Sequence, residues 1–306
     1  MLKRFSPHAI AVAVALAWAA PAPAQQPKHA AGFLSEAFVR VTDLATKANT
    51  KLQYGYAKEA NPSILAGWVK RGGRLEFTYR NLIGGGEYLF LADGDNDAED
   101  VDVQVYSGTS TQGTPISQDV GTNRDAIVAF TPPANGNYTV KLTLAGSRNN
   151  VECACALVLM RKNGWNLPIG NLDKAMGQLT KSIETVDTDF RRNLNRRLDI
   201  NKGDNQWAVF GGVVNAGEFI GVRDVSLGVG HRVFFGASDT FAQSLDLDVL
   251  DAGGRVLASQ DPKSPALLPY LVREERNGVT PVRGVDLRNT RSNGAAIVMF
   301  AIADVR

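Results

Sequence analysis

The chain contains the same unit twice, each copy opening on a helical stripe and running on into strands. A repeat decides how every local pattern is read, so its register comes first. Leu34, Ala37, Phe38, Val41, Ala45, Ala48 and Leu52 fall on Leu172, Ala175, Met176, Leu179, Ile183, Val186 and Phe190 at an offset of 138 residues, apolar on apolar throughout. At an offset of 139, Trp68, Gly72 and Gly73 fall on Trp207, Gly211 and Gly212. At an offset of 146, Asp93, Asp100, Asp102 and Val103 fall on Asp239, Asp246, Asp248 and Val249. A unit of roughly 135 residues has the size of a domain, so the repeat predicts two tandem domains, residues 32–164 and 168–306, rather than a solenoid.

Within each unit the spacing changes from helical to extended. Leu172, Met176, Leu179, Ile183, Val186, Phe190, Leu194 and Leu198 keep one face of a helix, and residues 33–56 carry the matching stripe. Ala45 and Ala48 stand where the second copy has Ile183 and Val186, so large meets small if the two helices pack on each other or jointly against the sheets. Val101, Val103 and Val105 then alternate with Asp100, Asp102 and Gln104, as Leu245, Leu247 and Val249 do with Ser244, Asp246 and Asp248. That is a strand with one face buried and one wet. Further strands are predicted at 75–79, 88–92, 127–130, 138–144 and 156–160, separated by Gly and Asn clusters. The expected fold is mainly β: two tandem antiparallel β-sandwiches, each preceded by a long amphipathic α-helix.

Two segments then resemble a known family. Asp100-Val101-Asp102-Val103-Gln104-Val105-Tyr106, followed by Phe130-Thr131-Pro132-Pro133-Ala134-Asn135-Gly136-Asn137-Tyr138-Thr139-Val140, is similar to the strand and turn motifs of the bacterial pre-peptidase C-terminal domain. The resemblance covers residues 70–161 and extends more weakly to 210–304, where Asp246-Leu247-Asp248-Val249 keeps the first motif and Gly278-Val279-Thr280-Pro281-Val282 replaces the second. It implies jelly-roll-like sandwiches of the kind that accompany secreted peptidases, help them reach substrate and sometimes take calcium.

The ends and the charge bear on compartment and partners. Lys3 and Arg4 precede an apolar run at 9–20, closed by Ala22-Pro23-Ala24, which predicts a signal peptide over 1–24 and a linker over 25–31. The mature chain is expected in the periplasm or outside the cell, without a transmembrane segment, since the run is shorter than the ~20 residues a spanning helix needs. A net charge of +2 gives no general attraction to nucleic acid. Cys153 and Cys155 read as small buried hydrophobes, because residues two apart on a strand stand near the upper limit for a disulfide.

No catalytic set stands out. The mature chain has only His29 and His231 as imidazole bases, and it lacks the G-x-S-x-G, H-E-x-x-H and phosphate-loop patterns. The leading expectation is an exported, non-catalytic binding protein for a protein or polysaccharide. A structural envelope protein self-associating through its helices is the alternative, and a hydrolase using a carboxylate pair comes third. Asp93, Asp95, Asp97, Asp100 and Asp102 form a candidate calcium site, because closely spaced carboxylates supply the oxygens a hard cation takes. Phe241 and Gln243 replace Asp95 and Asp97 in the offset of 146, which assigns that site to the first unit. Arg191, Arg192, Arg196 and Arg197 end the second helix, with Asp187 four residues before Arg191. Trp68 and Trp207 are expected to be matching core residues or anchors between helix and sheet.

Overall fold

The computed structural model describes residues 30–200, 206–260 and 269–306. The expected signal peptide and His29 lie outside them, and residues 30 and 31, read as linker, already belong to the first helix. The first unit runs α1 (Ala30–Leu52), β1 (Tyr54–Tyr56), β2 (Ile64–Val69), β3 (Arg74–Leu82), β4 (Tyr88–Gly94), β5 (Ala98–Ser107), β6 (Ser117–Asp119), β7 (Ala126–Phe130), β8 (Gly136–Ser147) and β9 (Cys153–Lys162). The second repeats that order as α2 (Gly170–Leu194), β10 (Leu198–Ile200), β11 (Trp207–Val214), β12 (Phe219–Arg223), β13 (Gly230–Ser238), β14 (Ala242–Leu250), β15 (Val256–Gln260), β16 (Tyr270–Glu275), β17 (Gly284–Ser292) and β18 (Ala296–Val305). Each helix stops earlier than its stripe predicts, at a residue in the left-handed region: Gln53 (φ 59°) and Asn195 (φ 50°). Tyr54–Tyr56 and Leu198 therefore enter strands, where they pair with β9 and β18.

The molecule has three layers, and the middle one is shared. A ten-stranded antiparallel sheet runs β16-β13-β18-β11-β2-β9-β4-β7, with β1 and β10 paired beside β9 and β18. One face carries both helices; the other carries two separate four-stranded sheets, β3-β8-β5-β6 and β12-β17-β14-β15. Strand β9 shows why its sequence is apolar throughout: Cys153, Cys155, Leu157 and Leu159 face the sandwich, while Ala154, Ala156, Val158 and Met160 face the helices. Helix-facing positions are often small, as at Ala66, Ala154, Ala156, Ala208, Ala237, Ala301 and Ala303, which lets the helices settle closely. The stripes pack as expected, with Leu34, Ala37, Phe38, Val41, Leu172, Ala175, Met176, Leu179 and Ile183 almost wholly buried. The apolar faces of both helices are thus occupied inside the molecule. No helix among the described residues is long and apolar enough to cross a membrane.

Antiparallel pairing of β2 with β11 joins the two sandwiches about a local twofold axis. Leu65 and Phe210 face each other in that pair, and they are also equivalent to each other, because Leu65 pairs with Leu157 and Phe210 with Phe300 at matching places in β9 and β18. Such an isologous arrangement is how identical subunits form dimers; here both halves lie in one chain.

The register of the strands in the repeat differs from the one read in the sequence. Gly72 and Gly217 (φ +74° and +83°) are twins, donating to Leu144 O and Asn289 O at 2.7 and 2.6 Å. Gly67 and Gly212 are twins as well: a Cβ there would meet Leu75 at 3.1 Å and Ile220 at 3.0 Å, themselves equivalent residues. The offset in this region is 145, so Trp68 and Trp207 are not counterparts. Trp68 lies on the helix side, edge to face with Phe33 at 5.7 Å; Trp207 lies on the sandwich side. In β5 and β14 the offset is 144, which pairs Asp102 with Asp246 and Val103 with Leu247.

Candidate functional site

The five carboxylates of the acidic loop go to different surroundings. Asp95 is 1% exposed and uses both oxygens on backbone: Asp97 N donates to Oδ1 at 3.0 Å and Ala154 N to Oδ2 at 2.8 Å. Asp239 does the same in the second unit, receiving Phe241 N at 2.9 Å and Ile297 N at 3.1 Å, with Asn171 Nδ2 at 3.0 Å in addition. Asp239 is therefore the twin of Asp95, not of Asp93, and Asp95 is not peculiar to the first unit. Asp93 is buried, accepts from Gly94 N at 2.8 Å and pairs with Arg124 at 3.2 Å. Asp97 faces Arg148 at 3.9 Å, and Asp100 and Asp102 stand half-buried along β5. Burial raises the pKa of Asp93, Asp95 and Asp239, against the lowering effect of their backbone donors. Among the described residues no three His, Cys, Asp or Glu side chains gather in a way that holds a metal ion.

The remaining single features are similarly engaged. Arg191 pairs with Asp187 at 2.6 Å, as the spacing predicts, and Asp187 also accepts Leu198 N at 2.5 Å, tying the helix end to β10. Arg197 and Arg306 share Asp199 at 3.6 and 3.2 Å. His231 sits in β13. Cys153 and Cys155 are free thiols, fully buried on the sandwich side of β9; burial and then the nearby Asp95 push the Cys153 pKa far up.

A cleft of about 440 Å³ opens on the twofold axis, where the second layer is interrupted. Strands β3 and β12 are the facing edges of their sheets and do not pair with each other. Trp207 and Phe210 of β11 form the floor; Phe77, Tyr79 and Val222 contribute apolar walls. Thr109 and Ser226 stand exposed at the rim. Antiparallel pairing turns alternate residues of an edge strand outward. Leu144 N donates to Gly73 O and Asn289 N to Glu218 O, so Glu76 and Thr78 of β3, and Phe219 and Gly221 of β12, aim their main-chain groups at the cleft. Two side chains confirm this by capping the edges from the opposite unit: Trp207 Nε1 donates to Glu76 O at 3.0 Å and Asn61 Nδ2 to Phe219 O at 2.7 Å. Charged groups around the cleft are paired. Arg80 reaches Asp224 at 3.4 Å, Arg223 forks onto Asp286 at 2.5 and 2.9 Å, and Glu76 takes Arg74 and Thr111, both at 2.9 Å.

Sequence reading passed over this site, although the alternation Arg74-x-Glu76-x-Thr78-x-Arg80 marks a strand with a polar outer face. That two such edges meet across an axis is a tertiary fact.

No protein-family model matches the chain, and no curated protein matches its sequence. Among solved structures, the chain bears a likeness to PliG of Aeromonas hydrophila, a periplasmic inhibitor of g-type lysozyme, at 16% identity over 35% of this chain and 91% of that one, with a TM-score of 0.26. The PBSX exported protein XepA gives 10% identity over 79% and 85% of the two chains with a TM-score of 0.25. Tripeptidyl peptidase 2 gives 9% over 77% and 22%, also at 0.25. At such TM-scores none of them bears on function.

Proposed function

We propose that this chain is an exported, non-catalytic binding protein that takes a protein or polysaccharide ligand in the cleft between its two sandwiches. The observation that carries the reading is the cleft itself: an aromatic floor with apolar walls and a polar rim, of a volume usual for ligand sites, placed where two rigid sheets meet. Its described lining holds no His or Cys, and the carboxylates of Glu76 and Asp224 are paired with Arg74 and Arg80. The resemblance to pre-peptidase C-terminal modules agrees with such a role.

Blocking the cleft at its rim tests this without touching the core. Wild type and the Thr109→Arg/Ser226→Arg double variant are compared on an array of envelope polysaccharides and matrix proteins. The expected result is at least one ligand that the wild type binds and the blocked variant, with an unchanged melting temperature, does not. Ligands bound equally by both would move the site elsewhere.

A further inference from the structure

The geometry points to an extended peptide as the occupant of the cleft, adding as a short antiparallel strand to the free edge of β3. This rests on the reading of the cleft as the binding site and goes on to name what fills it. Proteins cover or charge the free edges of their sheets, because unpaired main-chain groups recruit another strand. Here the cover is incomplete. Trp207 caps Glu76 O and Asn61 caps Phe219 O, and beyond those caps the outward N–H and C=O of Thr78 and Gly221 face the cleft. Among the described residues no side chain hydrogen-bonds to either pair of groups.

The charged side chains of the cleft show the opposite state. Arg80 and Asp224 hold each other, Arg223 is held by Asp286, and Glu76 is held by Arg74 and Thr111. A polysaccharide is recognised largely by side-chain donors and acceptors, and the charged ones here are already paired. A peptide strand is recognised by main-chain groups, which are the ones left open. One ligand residue exchanges both main-chain bonds with Thr78, and a neighbouring side chain descends onto Trp207, Phe210 and Phe77.

The test pans a phage library of random dodecapeptides on the mature protein and then uses a synthetic peptide of the enriched sequence. N-methylation at the pairing residue is expected to weaken binding about tenfold, the worth of one net hydrogen bond with its steric block, while methylation of its two neighbours changes little. Thr78→Pro removes the donor from an edge strand, where proline is tolerated, and is expected to lose binding similarly; Thr78→Val keeps the donor and keeps binding. If Thr78→Pro does not fold, the methylation series decides alone. Uniform sensitivity along the peptide, wild-type affinity in folded Thr78→Pro, or equal binding to the rim-blocked Thr109→Arg/Ser226→Arg protein each overturns the inference. If no peptide is enriched while a polysaccharide binds and is excluded by the rim variant, the cleft remains the site and the peptide falls.

Discussion

Replacing Asp95 with alanine sets two accounts of the acidic loop against each other. If Asp95 is a loop anchor, its removal leaves Ala154 N, in a residue fully buried in the sheet, without its side-chain acceptor at a cost of ~1–3 kcal/mol. Asp97 is more exposed and its amide can turn to water, which adds little. The carboxylate also relaxes a desolvation penalty when it leaves, since burial raises its pKa. A net loss of about 2 kcal/mol follows from an orphaned buried donor of this kind, or roughly 4 °C in melting temperature for a molecule of this size. Asp239→Ala removes the same pair of bonds and one more, to Asn171, so it should cost the same or slightly more. The two anchors sit in different units, and the double variant should equal the sum within ~0.5 kcal/mol. Scanning calorimetry of the four proteins, with and without millimolar calcium, reads all of this. Equal losses and no calcium effect are expected. Calcium stabilisation of the wild type that vanishes in Asp95→Ala but survives in Asp239→Ala would refute the anchor account and restore a site peculiar to the first unit.

Burial raises the folded-state pKa of Asp93, Asp95, Asp239 and Asp304, so their contribution to stability is full below the ordinary carboxylate range and is lost as pH rises through the raised values; the melting temperature should therefore climb as pH falls from 7 toward about 4.5, and Asp95→Asn/Asp239→Asn should flatten that climb. Phe210→Ala empties the axis, where the ring stacks on Phe300 at 5.0 Å, and should cost ~3–5 kcal/mol while unfolding stays a single transition, because both sandwiches share one sheet; two separated calorimetric peaks would contradict the shared-sheet architecture. Cys153 and Cys155, wholly buried with the Cys153 thiol pKa pushed up, should ignore a thiol reagent in the folded protein and react only on unfolding, which a timed colorimetric titration checks.

The helices were legible from residue spacing because their pattern is local. Seven apolar positions at a period near 3.6 mark one face of each helix, and the structure buries most of that face in both. The strands were legible as strands but not in register. A strand repeats every two residues, so a slip of two leaves inward and outward faces intact. Setting Asp100-Val101-Asp102-Val103 on Asp246-Leu247-Asp248-Val249 or on Ser244-Leu245-Asp246-Leu247 puts apolar on apolar either way, and the structure chooses the second. Trp68 and Trp207 misled for a different reason: a rare residue type can recur without a recurring role. Strand β2 escaped notice because Ile64–Val69 is buried on both faces and has no alternation to read. The cleft could not be found at all from the chain, since its two edges come from different units and nothing local says that β2 meets β11.

Correcting the register also changes which positions of the two units are seen to differ. Twins that build the fold are alike: Gly67 with Gly212, Gly72 with Gly217, Asp95 with Asp239. Around the axis the twins are unlike, with Leu65 against Phe210, Glu76 against Gly221, Thr78 against Arg223 and Pro62 against Trp207. A symmetric cleft on a twofold axis presents the same contacts to a ligand in two orientations. These differences remove that degeneracy: only one side carries the tryptophan cap, and only the opposite edge carries a bare glycine. Were a peptide to enter between two edges that themselves run antiparallel, as proposed, Trp207 on Glu76 O would make the two edges different to it.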